Sequence, residues 1–268
     1  MLARVLEPEV EDFAADAAAY QAMDHREVNS KFVDDLLTGG AVGPRVIDLG
    51  CGPGGIVLEL AERWERAADP TLIGFAPEQL EIMGVDYSVD MLGMAQMEIE
   101  LASAQHLVFL QQIDLTDPDC FQEDLAQTII SNTVLHHLPD PATALAAALK
   151  ALMPGGRLFI RDLYRPETEA EIERLVELHA GDSESAAAVS DSGVSIPPEL
   201  APSQLLRQSL WASLTLEEAR QVVSKLGIPE DAVQMTSDRH WTLDWVHDGK
   251  IDSGGIEGTT GNGGSKLA

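Results

Sequence analysis

The most informative part of the sequence is a glycine-rich segment that follows a short apolar run. The run from Arg45 to Leu49 predicts a buried strand, and Gly50, Gly52 and Gly54 follow it at alternate positions. Because glycine has no Cβ atom, the chain can turn tightly there and a ligand can lie directly against the main chain. The amides at the start of the next helix would face that ligand. The segment therefore indicates a binding site for a small ligand.

A glycine-rich turn alone is weak evidence, because dinucleotide-binding enzymes use a related one. Two details distinguish the turn in this chain. The spacing is Gly-x-Gly-x-Gly rather than Gly-x-Gly-x-x-Gly, and Asp48 stands inside the preceding strand. A dinucleotide site usually has an apolar residue at that position. Both details argue against a dinucleotide site.

Polar residues also follow the later strands predicted along the chain. Asp86 ends the second apolar run, Asp114 follows the third, and Asn132 closes the fourth. Strand-like and helix-like segments alternate from about residue 28 to about residue 180, which is typical of a parallel sheet covered by helices. The carboxyl ends of parallel strands meet at one edge of the sheet, where α/β proteins bind ligands. We therefore expect these residues to lie near the glycine turn.

The elements that position these residues are predicted from apolar periodicity and capping signals. One helix runs from Val28 to Leu36, another has Asp90 as its N-cap, and another begins at Thr215, which can form a capping box with Glu218. The strands are predicted at Arg45–Leu49, Glu81–Asp86, Leu107–Leu110, Thr128–Ile130 and Arg157–Ile160, with two closing strands near Val233 and from Trp241 to Val246.

The glycine turn and the blocks that follow it in order resemble the motifs of the class I S-adenosylmethionine-dependent methyltransferases. The blocks are Val46 to Gly54, Gly84 to Leu92, Gln112 to Leu115, Ser131 to Asp140 and Met153 to Leu158, within a span of about residues 28 to 163. The resemblance implies an α/β fold, a Rossmann-like, seven-stranded, mostly parallel sheet with helices on both faces. It also implies S-adenosyl-L-methionine as the cofactor and methyl transfer as the activity.

The resemblance further implies roles for individual residues. Asp86 would accept hydrogen bonds from both ribose hydroxyls, Asp114 would receive the adenine amine, and Asp48 suits the amino group of the methionine part. Cys51, between two glycines, is interpreted as a small packing residue rather than a nucleophile. The cofactor-binding residues expected on this basis are Asp48, Gly50, Cys51, Gly52, Gly54, Asp86, Tyr87, Met91, Asp114, Leu115 and Asn132.

The sequence departs from the family pattern in the distance between the glycine turn and the second acidic residue. Between Gly54 and Asp86 lie 31 residues, about ten more than the family pattern leads us to expect. A competing segment, Leu72 to Pro77, stands at the usual distance, but Ala76 offers no group for ribose hydroxyls. We therefore place an insertion at about residues 67–80 and retain Asp86.

The sequence defines the binding site of the methyl acceptor less clearly than that of the cofactor. His137, Asp162 and Tyr164 are the candidates for catalytic side chains, because they follow strands four and five at the expected ligand edge. A structural role is the alternative for each of them. Asp162 and Tyr164, like their neighbours Arg161 and Arg165, could simply take part in structural pairing. A base is needed only if the acceptor carries a proton of high pKa, as a hydroxyl does.

The chain divides into three predicted parts. Residues 1–40 form an N-terminal helical cap, residues 41–248 form the methyltransferase domain with a lid or insert at about 164–212, and residues 249–268 form a glycine-rich tail that we expect to be disordered. Two segments could exclude water from the acceptor. They are Tyr20 to His25 and Gly181 to Pro202.

The charge of the chain restricts its partners. Seventeen Lys and Arg residues against 45 Asp and Glu residues give a formal net charge of −28. Such a field repels phosphate backbones, so no nucleic-acid partner is expected. Cys51 and Cys120 match neither a disulfide framework nor a metal-ligand spacing, and no metal site is predicted. No run is apolar enough to span a membrane, which leaves a cytoplasmic location by elimination.

The sequence thus favours an acidic S-adenosylmethionine-dependent methyltransferase that acts on a small-molecule acceptor. Two alternatives remain open. The chain could bind the cofactor and catalyse another reaction, or it could bind the cofactor without catalysis. Accumulation of the demethylated cofactor in a turnover assay distinguishes methyl transfer from both alternatives.

Overall fold

Seven strands form a single sheet in the computed structural model, which describes residues 2–8, 25–187 and 201–249, with the side chains of 181–187 left aside. The strand order is β3-β2-β1-β4-β5-β7-β6. Strands β1 to β5 are parallel, and β7 runs antiparallel to both β5 and β6. The expected fold is confirmed. The strands are β1 Arg45–Leu49, β2 Glu81–Asp86, β3 Val108–Gln112, β4 Ala126–Asn132, β5 Leu152–Leu163, β6 Val233–Met235 and β7 His240–Val246.

The α-helices of the described residues lie between and beyond these strands. None of them is both long enough and apolar enough to cross a membrane. Their ends follow local chemistry: Asp140 caps one helix with Pro141 as its first residue, and Thr215 and Glu218 form the predicted capping box at another. The helices are α1 Arg26–Gly39, α2 Gly55–Arg66, α3 Val89–Leu101, α4 Pro141–Ala151, α5 Glu169–Ala187, α6 Pro202–Ala212 and α7 Leu216–Lys225.

The core lies on both faces of the sheet. Along β1, Ile47 and Leu49 belong to the cluster that includes residues of α4, whereas Val46 belongs to the cluster that includes residues of α1 and α2. A parallel sheet covered on both faces needs near-continuous apolar strands, and the sequence of β1 is apolar apart from Arg45 and Asp48. Phe32 of α1 lies in this second cluster, so the first helix packs on the sheet itself.

The long connection between α2 and β2 coincides with the insertion predicted at about residues 67–80. Strand β2 begins at Glu81 and pairs with Arg45 at the start of β1. The preceding residues include a short 3-10 helix, Pro70–Ile73, and Phe75, which forms an isolated bridge with Val42. The segment therefore extends the crossover without displacing the second strand, and Asp86 stands at the carboxyl end of β2.

Three local predictions were wrong or incomplete. Ser88, not Asp90, caps α3, because its side-chain oxygen accepts a hydrogen bond from the amide of Met91 while Asp90 lies inside the first turn. Helix α5 continues to Ala187, so it includes the first residues of the segment from Gly181 to Pro202 that could exclude water. Helix α6 was not predicted; it begins at Pro202, and proline is favoured at the first helical position.

Some predictions fall outside the described residues. They concern residues 9–24 of the N-terminal cap, which include Tyr20, Met23 and Asp24. They also concern residues 188–200 of the segment that could exclude water from the acceptor, and the tail from residue 250 onward. The division into a cap, a methyltransferase domain and a tail therefore stays a prediction. Within the region expected to form a lid, α5 and α6 pack through Ile172, Val176 and Leu210 in a third cluster, which Leu163 of β5 joins.

Candidate functional site

The site is built where the carboxyl ends of the central strands meet. In the register of the sheet, Leu49 at the end of β1 pairs with Val85 of β2 and with Ser131 of β4. The residues that follow these positions, Gly50 and Asp86, therefore lie side by side at one edge. This is the edge at which parallel α/β sheets bind ligands.

The glycine turn needs its glycines for two different reasons. Gly50, Gly52 and Gly54 have φ angles of +67°, +53° and +85°, a region that residues with side chains rarely adopt. A Cβ atom on Gly50 would lie 2.5 Å from the side chain of Val134. Glycine at this position therefore allows the turn after β4 to pack closely against the glycine turn. A Cβ atom on Gly52 would meet no atom of the described residues within 4 Å. Gly52 thus borders open space in which a ligand could lie.

Asp86 links β2 to the glycine turn. Its Oδ2 atom accepts a hydrogen bond from the amide of Gly52 at 2.9 Å, and its Oδ1 atom accepts one from the amide of Ser88 at 2.9 Å. The carboxylate is half-buried. Both oxygens retain lone pairs for further donors, as ribose hydroxyls would be.

Asp48 is a buried carboxyl group with an unsatisfied oxygen. It is 2% exposed, and its Oδ2 atom has no hydrogen-bond partner among the residues that the structure describes. Burial, together with the negative charge of Asp86, raises the pKa of Asp48 well above its ordinary value. A cationic group of a ligand would satisfy this oxygen and favour the ionised carboxylate. This arrangement fits the amino group of S-adenosylmethionine.

Three further expected cofactor residues lie around the ends of β2 and β4. Tyr87 is 58% exposed, and its carbonyl oxygen accepts a hydrogen bond from the side-chain amide of Gln112 at 3.0 Å. Met91 is half-buried in the first turn of α3, and Asn132 is half-buried at the end of β4. The role of these three residues at the cofactor stays a prediction.

The segment after β3 is less clearly arranged for a ligand. Asp114 is exposed, and its Oδ1 atom accepts hydrogen bonds from the amide and the hydroxyl of Thr116, which lower the pKa of the carboxyl. Leu115 beside it is buried. The role of Asp114 at the adenine thus stays a prediction, since the carboxylate also stabilises its own turn. Cys51 is buried, and burial raises the pKa of its thiol, as suits a packing residue.

The side chains expected to contact the methyl acceptor follow β4 and β5, and they differ in their surroundings. Asp162 is 1% exposed, and it accepts hydrogen bonds from Nδ1 and the amide of His136 at 2.6 and 3.1 Å, and from the amide of Leu163 at 2.6 Å. His137 has a side chain 52% exposed. Tyr164 is half-buried. Asp162 can therefore position His136, but its own oxygens are held within the protein.

The two arginines near this edge take part in structural ion pairs. Arg161 donates to Asp35 of α1 at 2.8 Å, and its guanidinium lies over the ring of Phe32 at 5.5 Å. Arg165 is buried and donates to both carboxylate oxygens of Glu218 at 2.6 and 2.7 Å. Both side chains hold neighbouring elements together, which agrees with the structural alternative considered for them.

Sequence reasoning did not find the group formed by Glu7, His136 and His137. Glu7 lies in the N-terminal segment of residues 2–8, where Arg4 donates hydrogen bonds to the carbonyls of Ala212, His136 and Leu138. The carboxylate of Glu7 contacts Nδ1 of His137 and accepts a hydrogen bond from Ser209. The adjacent histidines were a visible signal. Nothing in the sequence near Glu7 indicated that it would reach them.

Comparison with known proteins identifies the family of this chain. A family model described as a methyltransferase domain matches residues 42–208, which is more than half of the chain. The match begins beside β1 and extends into α6, and it therefore includes the glycine turn and the candidate acceptor edge.

Two curated relatives are similar to part of this chain. A ubiquinone biosynthesis O-methyltransferase of Aeromonas salmonicida is 32% identical over 128 residues, which cover 48% of this chain and 47% of that protein. A trans-aconitate 2-methyltransferase of Azoarcus sp. is 37% identical over 117 residues, which cover 43% of this chain and 38% of that protein. The match spans half or less of the length of these relatives.

Solved structures show the same fold at low sequence identity. A candidate S-adenosylmethionine-dependent methyltransferase from Methanococcus maripaludis superimposes with a TM-score of 0.58 at 15% identity, covering 93% of this chain and 100% of the other. A methyltransferase from Aquifex aeolicus gives a TM-score of 0.55 at 14% identity, covering 87% and 98%. The family match and the shared fold agree with the geometry of the glycine turn. The chain belongs to the class I S-adenosylmethionine-dependent methyltransferase family.

Proposed function

We propose that this protein transfers the methyl group of S-adenosylmethionine to a small-molecule acceptor. The observation that carries the proposal is the buried, unsatisfied carboxyl of Asp48, which stands two residues before the glycine turn in which Gly52 borders open space. An unsatisfied buried oxygen is costly, so a ligand that supplies a donor there binds favourably. The methionine part of the cofactor carries an ammonium group that can do so.

The remaining cofactor contacts follow from the same edge. Asp86, already fixed by the amide of Gly52, would receive the ribose hydroxyls. Tyr87, Met91 and Asn132 would border the cofactor, and Asp114 with Leu115 would adjoin the adenine. The glycine turn, with Cys51 packed between two of its glycines, would lie against the cofactor at the start of α2.

Methyl transfer requires the acceptor nucleophile to lie in line with the methyl carbon and the sulfur. Alignment of this kind can supply about 7–11 kcal/mol of the barrier reduction. We place the acceptor toward the ends of β4 and β5, where His137, Asp162 and Tyr164 stand. Burial, with Glu167 and Glu171 nearby, raises the pKa of Tyr164, which keeps its hydroxyl protonated and able to donate a hydrogen bond to an acceptor.

An oxygen nucleophile on a small molecule is the acceptor that the relatives favour. One is named for O-methylation in ubiquinone biosynthesis and the other for methylation of trans-aconitate. The charge of −28 opposes duplex DNA and structured RNA as acceptors. We further propose a cytoplasmic location, which the free thiols of Cys51 and Cys120 support.

A turnover assay tests this proposal. The full chain is incubated with S-adenosylmethionine and a panel of small phenols and carboxylic acids, and release of S-adenosylhomocysteine is measured, with Gly52→Val, which should not bind the cofactor, as the inactive control. Acceptor-dependent release by the wild type supports the proposal. Tight cofactor binding without release for any acceptor would favour a binding protein, and a different cofactor product would indicate another reaction.

A further inference from the structure

A second cluster of chemically capable side chains lies beside the proposed cofactor site. Glu7, His136 and His137 each present one ligand atom, and these atoms lie within 4.8 Å of one another. The two histidines belong to the short 3-10 turn after β4, Leu135–His137, whereas Glu7 arrives from the N-terminal segment. We propose that these three residues bind a divalent transition-metal ion such as Zn²⁺.

The donor set suits such an ion. Two imidazole nitrogens and a carboxylate oxygen are common ligands of Zn²⁺, with metal–ligand distances of about 2.0–2.2 Å. Nε2 of His136 lies 3.9 Å from Oε1 of Glu7, and the centroids of the two imidazole rings are 4.1 Å apart. In this proposal the three side chains rotate so that their donor atoms, which lie within 4.8 Å of one another, surround one ion. Three protein ligands would leave a fourth position for water or another oxygen ligand.

Asp162 provides independent support, because it prepares His136 as a ligand. Its Oδ1 atom lies 2.6 Å from Nδ1 of His136, so that nitrogen carries the proton and Nε2 presents a lone pair. Asp162 is itself fixed by the amides of His136 and Leu163. A carboxylate that orients a metal-binding histidine in this way is the usual arrangement around zinc.

The position of the cluster means that a bound ion would connect the N-terminal segment to the turn after β4. Arg4 and Glu7 both attach the N-terminal segment to the turn after β4, and Val134 of the same loop packs against Gly50. A bound ion would fasten this segment next to the cofactor turn. In this proposal His137 is a metal ligand, and Asp162 is a positioning residue that acts through His136. Metal binding does not depend on the proposed methyl transfer.

Metal titration of the full chain tests the inference. Chelator-treated protein is titrated with Zn²⁺ by calorimetry and with Co²⁺ by visible absorption, which reports imidazole and carboxylate ligation directly. We expect one ion per chain. His137→Ala and Glu7→Gln should each weaken binding about tenfold or more, and Asp162→Asn about 10- to 100-fold. The matched control is His106→Ala, because His106 pairs with Glu65 at the surface outside the cluster.

Two results would overturn the inference. One is the absence of stoichiometric binding of Zn²⁺ and Co²⁺ to the wild type. The other is binding that His137→Ala and Glu7→Gln leave unchanged, which would assign the ion to the acidic surface. If Asp162→Asn fails to fold, the His137 variant decides, since that side chain is half exposed. Calorimetry with S-adenosylmethionine on the same samples reports the proposed function separately.

Discussion

The carboxylate of Asp86 accepts a hydrogen bond from the amide of Gly52 at 2.9 Å, so the end of the second strand is tied directly to the turn after the first. This contact joins two parts of the sequence that the long crossover separates by 33 residues. It places an acidic group and an open stretch of backbone at the same point of the sheet edge. The ribose and the methionine part of the cofactor can therefore be bound by one continuous surface.

Replacing Asp86 should weaken cofactor binding strongly. Asp86→Ala removes the carboxylate that we expect to accept hydrogen bonds from the ribose, a loss of about 1.5–3 kcal/mol. Calorimetric titration with S-adenosylhomocysteine measures it. Asp90→Ala is the matched control, since Asp90 is exposed in the first turn of α3. Equal affinity in the two variants would place the ribose elsewhere.

Cofactor binding should release a proton from Asp48. The raised pKa of the buried carboxyl means that it holds a proton over part of the pH range in the free protein, and the cofactor ammonium favours its ionised form. Affinity should therefore rise as the pH increases through that range. Calorimetry in buffers of different ionisation enthalpy measures the released proton. Asp48→Asn should bind more weakly and show no such release, and a wild-type enthalpy independent of the buffer would refute the assignment.

Tyr164 should affect turnover more than cofactor affinity. Tyr164→Phe removes the hydroxyl proposed to contact the acceptor and leaves the glycine turn intact. We expect a lower kcat with an unchanged calorimetric affinity for S-adenosylhomocysteine. A parallel loss of affinity would show that the ring supports the cofactor site instead.

His240 should make the stability of the protein sensitive to acid. Burial, with the positive charges of Arg239 and Arg161, lowers the pKa of His240 from 6.5 to about 3. The unfolded chain thus binds a proton at His240 that the folded chain excludes, so stability is lost as the pH falls from about 6.5 toward 3. The loss should be on the order of 1 kcal/mol per pH unit within this window.

Comparison with a variant that cannot titrate isolates this effect. The free energy of unfolding of the wild type and of His240→Gln is measured by urea titration across the acid range. The stability difference between them should shift in favour of the variant as the pH falls. His106→Gln serves as the control for an exposed histidine. A constant difference across the range would contradict the prediction.

The cofactor-binding part of the candidate site could be predicted because its sequence signals are local. The glycine spacing and the acidic residue at the end of β2 each lie within one strand and its following turn. The group of Glu7 with His136 and His137 could not be predicted, since it depends on where an irregular N-terminal segment docks. The cap of α3 was predicted at Asp90 rather than Ser88 because two candidates stand two residues apart, and only the backbone geometry decides between them.

The central claim is that S-adenosylmethionine lies against the open backbone at Gly52. The most direct measurement is calorimetric titration of Gly52→Val with the cofactor, next to Gly227→Val as the matched control. Both glycines have positive φ angles, +53° and +82°, and at neither position would a Cβ atom come within 4 Å of the other residues that the structure describes. The backbone strain is therefore similar, but only Gly52 borders the proposed cofactor. We predict affinity in the micromolar range, about −8 kcal/mol, for the wild type and the control, and no measurable binding for Gly52→Val. Normal binding by a folded Gly52→Val protein would contradict the account.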